Sequence, residues 1–143
     1  MKKSDTPLYL SLPLIMLFVY TALSKLLAPE VFRKAMLNQP LPEAFSLLLV
    51  WLLPLAELAV AGLLLLPSLR KWGFATASLL MTGFTGYVSL ILWGYFGWVP
   101  CSCGGMLEQL SWEQHLGVNL LFWVLSLYGL YTTQKSTTAL LKL

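Results

Sequence analysis

Cys101 and Cys103 are the only two cysteines in the chain, and a single serine separates them. Two residues of extended backbone span about 7 Å, and a turn brings the Cα atoms into the range of about 4.4–6.8 Å that a disulfide needs. The ring closed by such a bond is small and strained, so the bond would be labile and suited to exchange. As a staple it would contribute little, because it closes almost no loop. Gly104-Gly105 follows and leaves the sulfurs approachable. His115 falls on the first turn of the next apolar segment, with Asn119 one turn further on the same face. An imidazole and a helix N-terminus beside a thiol favour the reactive thiolate. Cys101, Cys103 and His115 are therefore the candidate catalytic residues for thiol–disulfide exchange. Two other readings stand beside this one. The pair also fits a plain turn of small residues, and Cys101, Cys103, Met106 and His115 form a soft donor set of the kind that holds Cu(I).

The elements that must position these groups are membrane spans. Of the 143 residues, 58% are hydrophobic and 10% charged, far below the quarter usual in soluble domains. The expected fold is all-α: an integral membrane four-helix bundle forming a single domain over residues 1–143. Apolar runs place the spans at about 8–28, 44–66, 72–98 and 112–131. Ala22-Leu23-Ser24 loosely fits a signal-peptidase site, but the first run is long for a signal core and reads as a span. Between Pro29 and Pro40, Val31, Phe32, Ala35 and Met36 recur at helical spacing beside Arg33 and Lys34, predicting a short interfacial amphipathic helix between the first and second spans. Pro67 closes the second span, and Pro100 is expected to end the third near Val99. Ser111 and Gln114 fit a capping box opening the fourth. The nine basic residues are scattered, with no stripe of the kind that neutralises phosphates, which excludes nucleic acid as a partner.

Orientation follows from the bias of basic residues. Lys2, Lys3, Arg70, Lys71, Lys135 and Lys142 fall on one side, and Lys25, Arg33 and Lys34 on the other. Both termini are then cytoplasmic, in a bacterial inner membrane, and the Cys-x-Cys loop faces the extracytoplasmic side where disulfides persist.

Glu57 is the one acidic residue well inside a span, so it should face the bundle interior as a ligand contact, proton carrier or structural hydrogen-bonding group. Lys25 is its obvious partner. Counted at 1.5 Å per residue from opposite faces, however, the two lie ~15 Å apart along the bundle, which predicts no direct pair. Ser78, Thr82, Thr85 and Ser89 share a helical stripe with Gly83 and Gly86 beside it, as in close-packed membrane helices, with the lining of a quinone or substrate cleft as the second reading. Trp93, Tyr95, Phe96, Trp98 and Trp112 gather around the loop as an interfacial aromatic belt. Were a quinone bound, Trp98 and Trp112 would stack its head group and Glu57 would contact it. No zinc, haem or phosphate-loop motif is present, and no metal site is assigned.

The four spans, Ser24-Lys25 closing the first and Glu57 within the second, resemble the MauE/DoxX-like membrane proteins. Trp98-Val99-Pro100-Cys101-Ser102-Cys103-Gly104-Gly105, followed by Leu107-Glu108, Ser111-Trp112 and His115-Leu116, is similar to the redox-associated branch of that group. The resemblance implies a compact four-helix bundle linked to thiol–disulfide chemistry outside the cytoplasm. It also implies a protein partner there, such as the disulfide-rich enzyme matured in the methylamine-utilisation branch, and quinone as electron acceptor. The quinone-dependent disulfide-forming enzymes carry a second Cys pair that this chain lacks. The pair must then serve both partner and quinone, or a partner supplies the second pair. A non-catalytic maturation partner and a copper-handling protein are the alternative functions.

Overall fold

The computed structural model describes residues 5–97 and 110–142. Among the described residues five helices run in chain order: α1 Thr6–Leu27, α2 Pro29–Leu37, α3 Glu43–Leu65, α4 Arg70–Leu92 and α5 Trp112–Leu141. Four of them, all but α2, are long and apolar enough to cross a membrane. At 1.5 Å per residue, 22 or 23 residues cover ~33 Å, close to the ~30 Å of a hydrocarbon layer. The chain is an integral membrane protein.

The four long helices form an antiparallel up-down-up-down ring in the order α1, α3, α4, α5. Leu14 and Phe18 of α1, Val60, Ala61 and Leu64 of α3, and Phe74, Ala77 and Met81 of α4 make one core. The outward faces stay apolar, as at Met16, Trp51, Leu55 and Leu79, because lipid solvates them.

Helix ends follow local chemistry. Ser111 caps α5: its hydroxyl accepts from Gln114 N–H, and Gln114 Oε1 accepts from Ser111 N–H at 3.0 Å, the expected capping box. The C-terminus of α3 is held by Arg70, whose Nε donates to the Leu64 carbonyl at 3.0 Å. α4 stops at Leu92, six residues before the expected Trp98. Gly94 adopts φ +74° just past the end, its N–H donates to Ile91 O, and Tyr95 N–H donates to Leu90 O. This is a Schellman motif, which a glycine embedded in an aromatic run conceals from hydropathy. α5 runs ten residues beyond the expected Tyr131. Its polar end stays helical because Thr132, Thr133, Thr137 and Thr138 donate to carbonyls one turn back, and neither proline nor glycine follows Gly129.

Packing between α4 and α5 uses the expected hydroxyl stripe only in part. Ser78 Oγ reaches Ser126 Oγ at 3.1 Å, and Trp123 Nε1 donates to Thr82 Oγ1 at 2.9 Å. Gly83 and Gly86, expected as close-packing residues, face open space, since an added Cβ would meet nothing within 4 Å. The close approaches occur instead at Gly73, whose Cβ would come within 2.8 Å of Leu64 N, and at Gly129, whose Cβ would overlap the Phe74 ring. Gly129→Ala is therefore expected to lower stability by about 1–3 kcal/mol through overpacking. Gly117→Ala, with nothing within 4 Å, serves as the control that holds or gains stability. Thermal unfolding of the detergent-solubilised protein reads both, and equal melting temperatures would contradict the α4–α5 contact.

Candidate functional site

Lys25 and Glu57 meet directly, against the expected ~15 Å separation. Lys25 Nζ lies 2.9 Å from Glu57 Oε1 and 3.1 Å from Oε2, with the side chains 12% and 3% exposed. The depth estimate assumed that residues 29–42 lie flat on one face, so that α1 ends level with the start of α3. Instead α1 stops level with Glu57, more than halfway along α3, and α2 runs alongside the first half of α3. Phe32 and Met36 pack there on Val50, with Leu49 and Leu53 around them. The short helix is thus present as expected, but its apolar face is spent on the bundle. Proline 54 lies inside α3 without ending it.

The ammonium is fully engaged: besides the carboxylate it donates to the Thr21 carbonyl at 3.2 Å, and it stands 5.6 Å from the centroid of the Phe32 ring. Removed from water, such a pair offsets its desolvation cost only through close geometry of this kind.

The pair forms part of the wall of a cavity of about 430 Å³. The cavity occupies the half of the bundle from which α4 leaves and into which α5 enters. Its walls are mainly apolar and aromatic, including Phe18, Phe45, Leu53, Phe84 and Val88. Trp112, His115 and Asn119 line it from α5, Tyr87 from α4 and Gln39 from the turn after α2. Tyr87 OH donates to Gln39 Oε1 at 2.6 Å, and Gln39 Nε2 donates to the Ala35 carbonyl at 3.1 Å, so these polar groups are held in fixed places. Trp112 and His115 have ring centroids 5.8 Å apart. Size and lining resemble those of small-molecule sites, which are concave, apolar and furnished with few polar groups.

Of the residues singled out from sequence, Glu57, Trp112 and His115 come together on this one cavity, although 58 positions separate Glu57 from His115. Cys101, Cys103 and Trp98 lie outside the described residues, as does Met106 of the copper donor set. Their segment joins α4 to α5, so the chain enters and leaves it at the end of the bundle that holds the cavity. The aromatic belt divides: Trp93 and Tyr95 are exposed, Phe96 packs edge-on to Tyr95 at 5.2 Å, and Trp112 turns to the cavity. Gln39 and Tyr87 carried no sequence signal. A glutamine among prolines and a tyrosine in an apolar run meet only through the tertiary fold.

Comparison with curated proteins and with solved structures finds no significant match. A family model described as methylamine utilisation protein MauE matches residues 3–132, from the N-terminal segment to Thr132 within α5, and the chain belongs to that family.

Proposed function

We propose that the protein performs thiol–disulfide redox at the extracytoplasmic face of a bacterial inner membrane, with both termini in the cytoplasm. Cys101 and Cys103 exchange with a disulfide or dithiol of an exported protein partner. One sulfur forms the mixed disulfide and the other resolves it, while His115 accepts or returns the proton. The family's description as a methylamine utilisation protein fits a role in maturing such a partner. Two thiols that become a disulfide release two electrons and two protons, the amounts consumed when a quinone becomes a hydroquinone. A lipid-borne quinone is the acceptor this chemistry calls for.

The observation that carries the reading is the convergence of His115, Trp112 and Glu57 on one cavity at the end of the bundle bearing the Cys-x-Cys segment. The test is exchange of the purified, reduced protein with a disulfide-containing peptide, followed by mass spectrometry. Exchange is expected, and His115→Gln is expected to slow it by about 10²-fold, the usual scale for losing a general acid or base. Absence of exchange by the parent protein would refute the reading. An unchanged rate in the variant would remove His115 from it.

A further inference from the structure

We infer that the cavity is a site for the hydroxyl-bearing, reduced form of a lipid-soluble quinone, with Glu57 accepting a hydrogen bond from a ring hydroxyl and Lys25 holding the carboxylate in place. The inference deepens the redox reading and rests on it for the identity of the ligand.

The charge pattern selects the ligand class. Among the described residues, Lys25 and Glu57 are the only Lys, Arg, Asp or Glu in the lining, and they neutralise one another at 2.9 Å. A phosphate or carboxylate head group would meet no Lys or Arg in the described lining other than the Lys25 already paired with Glu57, so the site suits a neutral molecule. Aromatic walls at Phe18, Phe32, Phe45, Phe84 and Trp112 suit a planar ring. Most of the remaining lining is aliphatic or aromatic, which suits a ligand delivered from lipid.

The hydrogen-bond inventory selects the oxidation state. An ammonium has three N–H donors, and those of Lys25 reach the two Glu57 oxygens and the Thr21 carbonyl. None is left for a quinone carbonyl. A carboxylate has about four acceptor sites, and Lys25 uses two of those on Glu57. The Thr21 hydroxyl donates to the Phe18 carbonyl at 3.2 Å and also lies within hydrogen-bonding reach of Glu57, so at least one acceptor site of the carboxylate stays open. At the Lys25–Glu57 wall, away from the donors of Trp112, His115 and Asn119 on α5, the cavity therefore accepts hydrogen bonds. A hydroquinone donates two, and a quinone donates none. A charge-assisted bond available to one form alone predicts a preference of about tenfold or more.

Gly83 provides a way to close the site. It lines the cavity, and an added Cβ would meet nothing within 4 Å, so a leucine there has open space to enter and is expected to take up cavity volume.

The experiment measures tryptophan fluorescence quenching by decylubiquinol and decylubiquinone in lipid nanodiscs. A Cys101→Ser/Cys103→Ser background prevents electron transfer during titration. The quinol is expected to bind about tenfold or more tightly than the quinone, and Glu57→Gln is expected to bring the ratio near one. Gly83→Leu is expected to weaken both forms at least tenfold without lowering the melting temperature, which keeps the test valid if Glu57→Gln folds poorly. Equal binding of the two forms by the parent, or Gly83→Leu binding as the parent does, would overturn the inference. Because binding is read without cysteines, its loss is separate from a loss of peptide exchange in the cysteine-bearing protein, which would instead refute the redox reading.

Discussion

Lys25→Met is expected to destabilise the protein by about 3–5 kcal/mol, the cost of leaving a buried charge without its partner. Glu57 is 3% exposed and receives both of its close contacts to a cation from Lys25. The loss should exceed that from any single hydroxyl removed elsewhere in the bundle. Lys25→Met/Glu57→Leu is expected to recover most of it, because a hydrophobic pair of similar volume needs no desolvation. A double-mutant cycle by unfolding in detergent measures the coupling. If both single variants and the double variant were equally stable, the ion pair would be contributing nothing, and the level of α1 relative to α3 would have to be redrawn. Recovery of stability in the double variant without recovery of quinol binding would assign the pair a functional role beyond holding the helices.

The second large effect concerns the thiols. Cys103→Ser and Cys101→Ser are each expected to abolish turnover with a disulfide-bearing partner, since resolution of a mixed disulfide requires the second sulfur. The two variants should differ in one respect. The variant that keeps the attacking cysteine accumulates a stable mixed disulfide with the partner, visible as a reducible higher-mass species, and the other does not. A structural partner protein would tolerate either serine and form no such species. Equal and full partner maturation with both variants would therefore contradict exchange at this pair.

Much of the fold is legible in the sequence because a membrane makes the relevant signals local. Apolar runs of sufficient length mark the four crossings, and the Ser111/Gln114 box marks the start of α5 to the residue. The recurrence of Phe32 and Met36 marks α2. What local signals miss is where helices sit relative to one another. The meeting of Lys25 and Glu57 depends on α2 lying along α3, which nothing in either residue's neighbourhood reveals. Gly94 ends α4 through a left-handed residue inside an apolar stretch, and hydropathy alone cannot register it. For the site, residue type pointed to Glu57, His115 and Trp112. Their convergence on one cavity, with Lys25, Gln39 and Tyr87 beside them, needed the fold. Gly83 reads first as a packing residue and only second as part of a cleft, yet it borders empty space. A small residue on a helix face looks the same whether a neighbour or a ligand occupies the gap.

The most direct test traps free thiols in intact cells with a mass-tagged alkylating reagent and reads the redox state of Cys101 and Cys103. Thiol–disulfide redox predicts a mixed population that shifts toward the reduced form on adding a membrane-permeant reductant. Blocking the respiratory chain, which leaves the quinone pool reduced, should shift it the same way. A pair that stays fully reduced under every condition would contradict the redox function and leave a membrane protein whose cysteines serve another purpose.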